Sequence, residues 1–144
     1  MAKPVPAVED HDRGFWEAAN QRRLVLQNCS ACSRMQMPPA ATCTICGSKD
    51  HLQWLEGPGR GRINGYCVQH DTRVAALKAD QPFNTAVIEL AGNPEIKFLS
   101  HLPGVPPGQV PVGAEVKVVF LEVEPGQLIP EWQLAAGQSG GRES

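Results

Sequence analysis

The sequence predicts a mainly β protein: one short N-terminal helix, a ribbon held by four cysteines, then a small five-stranded barrel. Three observations predict it. Four of the five cysteines fall within 18 residues as two C-x-x-C pairs. Fourteen glycines and 13 prolines punctuate the 144 residues, which suits short strands better than long helices. Five apolar, strand-like segments then follow one another between Gly61 and Leu134. A composition of 42% hydrophobic and 19% charged residues is that of an ordinary globular chain with one modest core or two small modules. No stretch approaches the ~20 apolar residues of a membrane span. The opening MAKPVPAVEDHD has one lysine, early acids and no apolar core, unlike a secretory leader, so a cytoplasmic location is expected.

The helix is expected over Asp12–Gln21. Asp10 or Asp12 can cap it, Glu17 suits its first turns, and Phe15, Ala18 and Ala19 share a face at i, i+3, i+4. Phe15 and Trp16 have two readings: they pack on their own domain, or a short aromatic helix docks on a partner. Leu24–Gln27 and Leu52–Leu55 read as short strands on either side of the cysteines. Glu56–Arg62 (EGPGRGR) is a turn-rich joint and marks the module boundary.

Beyond the joint the expected strands are Ile63–His70, Asn84–Leu90, Ile96–His101, Glu115–Val123 and Leu128–Leu134. Val116, Val118 and Phe120 alternate most clearly, with a bulge expected near Phe120–Leu121. Five strands in about 75 residues is the size of a small closed or nearly closed barrel. Asp71–Pro82 and Leu102–Gly113 are its long loops. The organisation expected is a flexible N-terminus (1–11), helix and ribbon (12–57), barrel (58–135) and a flexible tail (136–144).

The chemistry concentrates in Cys29-Ser-Ala-Cys32 and Cys43-Thr-Ile-Cys46-Gly47. Each C-x-x-C turn can present two thiolates on one side, and two turns facing each other make a tetrahedral four-sulfur cage. Gly47 follows where the turn needs a positive φ, and Pro38-Pro39 helps to reverse the chain. We read a structural zinc site, Zn2+ held by Cys29, Cys32, Cys43 and Cys46. The ligand set alone leaves iron open, because a rubredoxin-like iron centre uses the same geometry. Disulfides require an oxidising compartment, and dithiol redox chemistry requires only one pair. A closed four-sulfur site has no open coordination position for catalysis. Cys67, mid-strand, reads as a packed core thiol rather than a nucleophile.

Charge divides unevenly. Residues 1–62 carry 8 Lys/Arg and 6 Asp/Glu, while residues 63–144 carry 5 and 9, giving +2 and −4 within the chain's −2. His70-Asp71 reads as a solvated pair at a loop start rather than an acid/base pair. There is no G-x-G-x-x-G, phosphate loop or G-x-S-x-G, and the glycine-rich joint opens a strand rather than a helix, so it lacks a phosphate-binding helix terminus. Nothing here is a self-sufficient active site.

Several segments together resemble one family. They are Phe15-Trp16, Leu24-Val-Leu-Gln-Asn-Cys29, Pro38-Pro39, Cys43-Thr-Ile-Cys46-Gly47, Trp54 before Gly59-Arg60-Gly61, Val112-Gly113 with Val116–Phe120, and Pro130-Glu131-Trp132. Over roughly residues 12–135 this ordered set resembles the zinc-ribbon/OB-fold accessory proteins associated with acyl-CoA metabolism. Ser33 departs from the pattern, standing where a glycine is common, and should strain the first turn slightly.

The resemblance implies a rubredoxin-like four-cysteine zinc ribbon followed by a five-stranded OB-fold barrel. It implies a non-catalytic subunit of a thiolase-fold enzyme, a thiolase or an aldolase, in a hetero-oligomer that handles an acyl-CoA. Arg22, Arg23, Arg34, Lys49, Arg60 and Arg62 become candidates to meet coenzyme A phosphates or an acidic partner face. Phe15 and Trp16 become candidates for the partner interface. The alternative is a single-stranded nucleic-acid-binding ribbon/barrel module. Its aromatic content of 6% and the acidic barrel half argue against it. An autonomous enzyme using Cys67 or His70-Asp71 is a third, weaker reading.

Overall fold

The computed structural model describes residues 3–135. Helix α1 (Arg13–Asn20) leads to a three-stranded ribbon of β1 (Val25–Cys29), β2 (Met35–Gln36) and β3 (Leu52–Glu56), all antiparallel in the order β2-β1-β3. A second sheet follows: β4 (Arg60–Gln69), β5 (Phe83–Leu90), β6 (Asn93–Ser100), β7 (Glu115–Glu124) and β8 (Gln127–Leu134). Its order is β6-β5-β4-β7-β8. No helix among the described residues is long and apolar enough to cross a membrane.

This second sheet curls into a half-barrel whose edges are β6 and β8. The edges meet through side chains: the Trp132 backbone N–H donates to Ser100 Oγ at 3.1 Å, and the Phe98 and Trp132 rings lie 5.6 Å apart. The buried face is continuous from Ile63 through Ala86, Ile88, Leu90, Ile96, Phe98 and Val116 to Trp132, and Phe15 and Leu24–Leu26 join the same core. Helix, ribbon and barrel therefore share one apolar interior. Asn20 Oδ1 accepts from the Leu128 backbone N–H (2.8 Å), tying the end of α1 to β8.

Two glycines of the joint are required by proximity. A Cβ at Gly61 would stand 2.6 Å from the Glu89 carbonyl oxygen, so β4 and β5 approach as closely as they do only with glycine there. Gly59 is similarly close to the Val118 side chain, at 3.0 Å. Fully buried Asn84 fastens the loop after β6: its Nδ2 donates to the carbonyls of Leu102 and Val105, and its Oδ1 accepts from the Leu102 N–H.

Several expectations need correction. Asp12 occupies the N-cap position of α1 but does not cap it with its side chain, which accepts from the Glu9 backbone N–H instead (2.8 Å). Asp10 pairs with Arg13, and Glu17 lies beyond the first turn. The bulge of the β7–β8 hairpin falls between Glu122 and Glu124, two residues later than expected. The loop at 71–82 contains a 3-10 turn, Ala75–Asp80. Cys67 is exposed, not a core thiol. A second bulge, between Ile63 and Gly65, shifts the phase of β4 and takes Cys67 off the buried face. The expected tail lies outside the described residues; residues 3–9 form neither helix nor strand, and Lys3 pairs with buried Glu131.

Candidate metal centre and inter-module cavity

The two C-x-x-C turns face each other as the spacing predicts. In the first, the Cys29 N–H bonds the Arg34 carbonyl (2.8 Å) and the Ser33 N–H bonds the Cys29 carbonyl (2.7 Å). Ser33 takes φ +67, the left-handed conformation that favours glycine. In the second, the Cys43 N–H bonds the Ser48 carbonyl, the Gly47 N–H bonds the Cys43 carbonyl, and Gly47 has φ +75.

The four sulfurs lie within 4.8 Å of one another, with Cys29–Cys46 and Cys32–Cys43 each at 3.6 Å. Four sulfurs at about 2.3 Å from a central zinc stand about 3.8 Å apart at the tetrahedron's edges. These separations match that cage and are far longer than the ~2.05 Å of a disulfide. The donor set fits structural zinc.

The site favours thiolate unequally. The backbone N–H groups of Cys46 and Ile45 point at Cys43 Sγ and lower its pKa to about 6. At Cys32 the Arg34 backbone also lowers the pKa, but desolvation and the Cys43, Cys29 and Cys46 sulfurs outweigh it and push the thiol up to about 12. Four neighbouring sulfurs cannot all carry charge unaided, and a dication supplies the compensation.

The basic candidates are exposed and mostly engaged. Arg23 pairs with Glu56 (3.0 Å) and Arg60 with Glu115 (3.5 Å), while Arg22 and Arg62 donate to the Phe120 and Gly113 carbonyls. Arg60 and Arg62 share one face of β4, and Arg34 and Lys49 are exposed on the ribbon. Phe15 is buried in the chain's own core, edge-on to half-buried Trp16 with ring centroids 4.9 Å apart. His70 and Asp71 are both exposed, and Asp71 pairs with Lys78.

Sequence reasoning did not anticipate a cavity of about 690 Å³ where the modules meet. Trp16, Met37, Pro39, Leu99, Ile129 and Trp132 line it, with Pro4–Pro6 along one side. Its walls come from five separate segments, so no local periodicity announces it. The nearest signals were the Pro38-Pro39 and Pro130 positions.

Two family models match, the ChsH2 rubredoxin-like zinc ribbon domain over residues 16–51 and the ChsH2 C-terminal OB-fold domain over residues 54–121. Among solved structures, a chain of the Ltp2-ChsH2(DUF35) aldolase is 32% identical with a TM-score of 0.75, covering 90% of this chain and 98% of that one. A DUF35-family protein of unknown function from Sulfolobus solfataricus shares the fold at 20% identity and a TM-score of 0.57, over 89% of this chain and 87% of that one. A curated relative from Thermomonospora curvata, a probable enoyl-CoA hydratase alpha subunit, is 34% identical over 137 residues. That match takes in 94% of this chain but spans only 41% of the relative's length. In its order of modules and in its cysteine ligands alike, the chain belongs to the ChsH2 family of rubredoxin-like zinc ribbon and OB-fold proteins.

Proposed function

We propose that this chain is a non-catalytic accessory subunit of a thiolase-like acyl-CoA enzyme, its partner carrying out carbon–carbon cleavage by thiolytic or retro-aldol chemistry. The observation that carries the reading is the end-to-end match to one chain of a two-component aldolase, 98% of that chain at 32% identity. The four thiols form a closed cage suited to a structural ion, and His70-Asp71 is solvated, so catalysis belongs to the partner.

The inter-module cavity supports a finer reading, in which the apolar part of the acyl-CoA lies against this subunit. A volume of about 690 Å³ falls within the 300–1,000 Å³ range of small-molecule sites, which favour module boundaries. The exposed guanidinium groups of Arg60 and Arg62 are the arginines of the set that share one strand face, suited to coenzyme A phosphates or an acidic partner surface. A reducing cytoplasmic setting suits the free thiols. The nucleic-acid alternative loses its stacking platform, since Phe83, Phe98 and Trp132 are buried in the barrel.

Reconstitution tests the reading. The partner enzyme, purified with and without this chain, is assayed for acyl-CoA cleavage and for thermal stability. Activity or stability should fall when the chain is withheld, and the chain alone should show no turnover. A partner equally active and equally stable alone overturns the proposal.

A further inference from the structure

Two buried glutamines, one on each of two adjacent strands, link the first metal knuckle to the second. Gln27 lies two residues before Cys29 on β1, and Gln36 is its register partner on β2. Both are buried, at 3% and 6% exposure, where an unpaired amide is costly. Every polar atom of the pair has a partner. Gln36 Nε2 donates to Gln27 Oε1 (2.6 Å) and to the Thr42 carbonyl (3.2 Å). Gln27 Oε1 also accepts from the Ala40 N–H, while its Nε2 donates to the Ala40 carbonyl, both at 2.9 Å. Gln36 Oε1 accepts from the Thr44 N–H (3.0 Å) and the Thr44 hydroxyl (3.1 Å).

The contacts at residues 40, 42 and 44 run along the segment that carries Cys43, where the chain forms neither helix nor strand. Within the Cys43–Cys46 turn, the N–H groups of Ile45 and Cys46 point at the Cys43 sulfur, that of Cys43 bonds the Ser48 carbonyl, and that of Thr44 is taken by Gln36. We infer that Gln27 and Gln36 are positioning residues for the metal, holding the second knuckle opposite the first so that the four sulfurs converge before the ion arrives. Without the pair, the loop's amides would turn to water and the ion would bear the cost of ordering the loop. Neither glutamine touches the ion. Their effect passes through the loop backbone, as outer-shell groups act on metal ligands elsewhere.

The test measures Zn2+ affinity of the full chain by competition with a chromophoric chelator. Gln27→Leu and Gln36→Leu should each weaken binding by about 10-fold or more, within the range typical of outer-shell losses. The double variant should lose little beyond either single one, because the two side chains act as a unit. In the zinc-bound chain, the Thr44 amide should exchange with solvent faster in Gln36→Leu. Gln53→Leu is the control: Gln53 donates to Asn28 in the same ribbon but does not reach the second knuckle, so its affinity should stay within about 2-fold. Unchanged affinity in folded leucine variants, or an equal loss in Gln53→Leu, overturns the inference. If the leucine variants do not fold, Gln36→Glu decides. It keeps the volume and the acceptor for Thr44 but sets a carboxylate against the Gln27 oxygen and the Thr42 carbonyl. Full affinity in Gln36→Glu overturns the inference as well. None of these readouts depends on the partner enzyme.

Discussion

Gly14 of α1 lies flat against the indole of Trp54 on β3: a Cβ at position 14 would stand 2.2 Å from Trp54 Nε1. This contact seats the helix on the ribbon, beside the point where both join the barrel core through Phe15 and Leu24–Leu26. Gly14→Ala adds the atom that the contact excludes. Overpacking costs about 1–3 kcal/mol, against a helix-propensity gain of at most about 1 kcal/mol. The variant should lose about 1 kcal/mol in urea denaturation of the zinc-loaded chain. Combining it with Trp54→Leu should cost less than the sum of the two single changes.

Ser33 pays a conformational cost at φ +67 that a glycine would not. Ser33→Gly should stabilise the first knuckle by about 0.5–1 kcal/mol, net of the extra freedom glycine brings to the unfolded chain. The readouts are a higher denaturation midpoint and slower loss of zinc to a chelator. A lower midpoint would show that the serine side chain holds the turn in some other way.

Burial, and then the nearby charge of Lys3, lower the pKa of His101 from its ordinary 6.5, and its Nδ1 is buried with no hydrogen-bond partner among the described residues. The unfolded chain therefore takes up this proton more readily than the folded one. The neutral histidine's contribution to stability is full above about pH 6.5 and is lost as pH falls from there toward the depressed folded value. Denaturation midpoints measured between pH 7.5 and 5.5 should fall less steeply in His101→Gln than in the parent. Equal slopes would contradict this assignment.

The strands of the barrel were legible because their core face alternates. Asn84, Ala86, Ile88 and Leu90 on β5 and Ile96, Phe98 and Ser100 on β6 keep a period-two burial in the folded sheet, whereas on β7 Val116 is buried and residues 118–121 are all half-buried. The metal cage was legible because two C-x-x-C turns leave four sulfurs few other arrangements. Four features were not. Strand β2 is two residues long and exists through its register with β1, which no periodicity in Met35-Gln36 could signal. Cys67 follows the expected alternation until the bulge at Ile63–Gly65 shifts it, and a glycine in a strand marks such a site without fixing its effect. The cavity and the Gln27–Gln36 pair both depend on segments brought together only by tertiary packing. Phe15 is buried in the core, as the first of its two readings expects, and both Phe15 and Trp16 line the cavity.

The accessory role stands or falls most directly on what the chain binds in its own cell. The tagged chain is purified from its native host under mild conditions, and co-purifying proteins are identified and quantified by mass spectrometry. The account predicts a thiolase-fold enzyme in near-stoichiometric amount. Recovery of the chain without such a partner, above all with nucleic acid bound in its place, would contradict it.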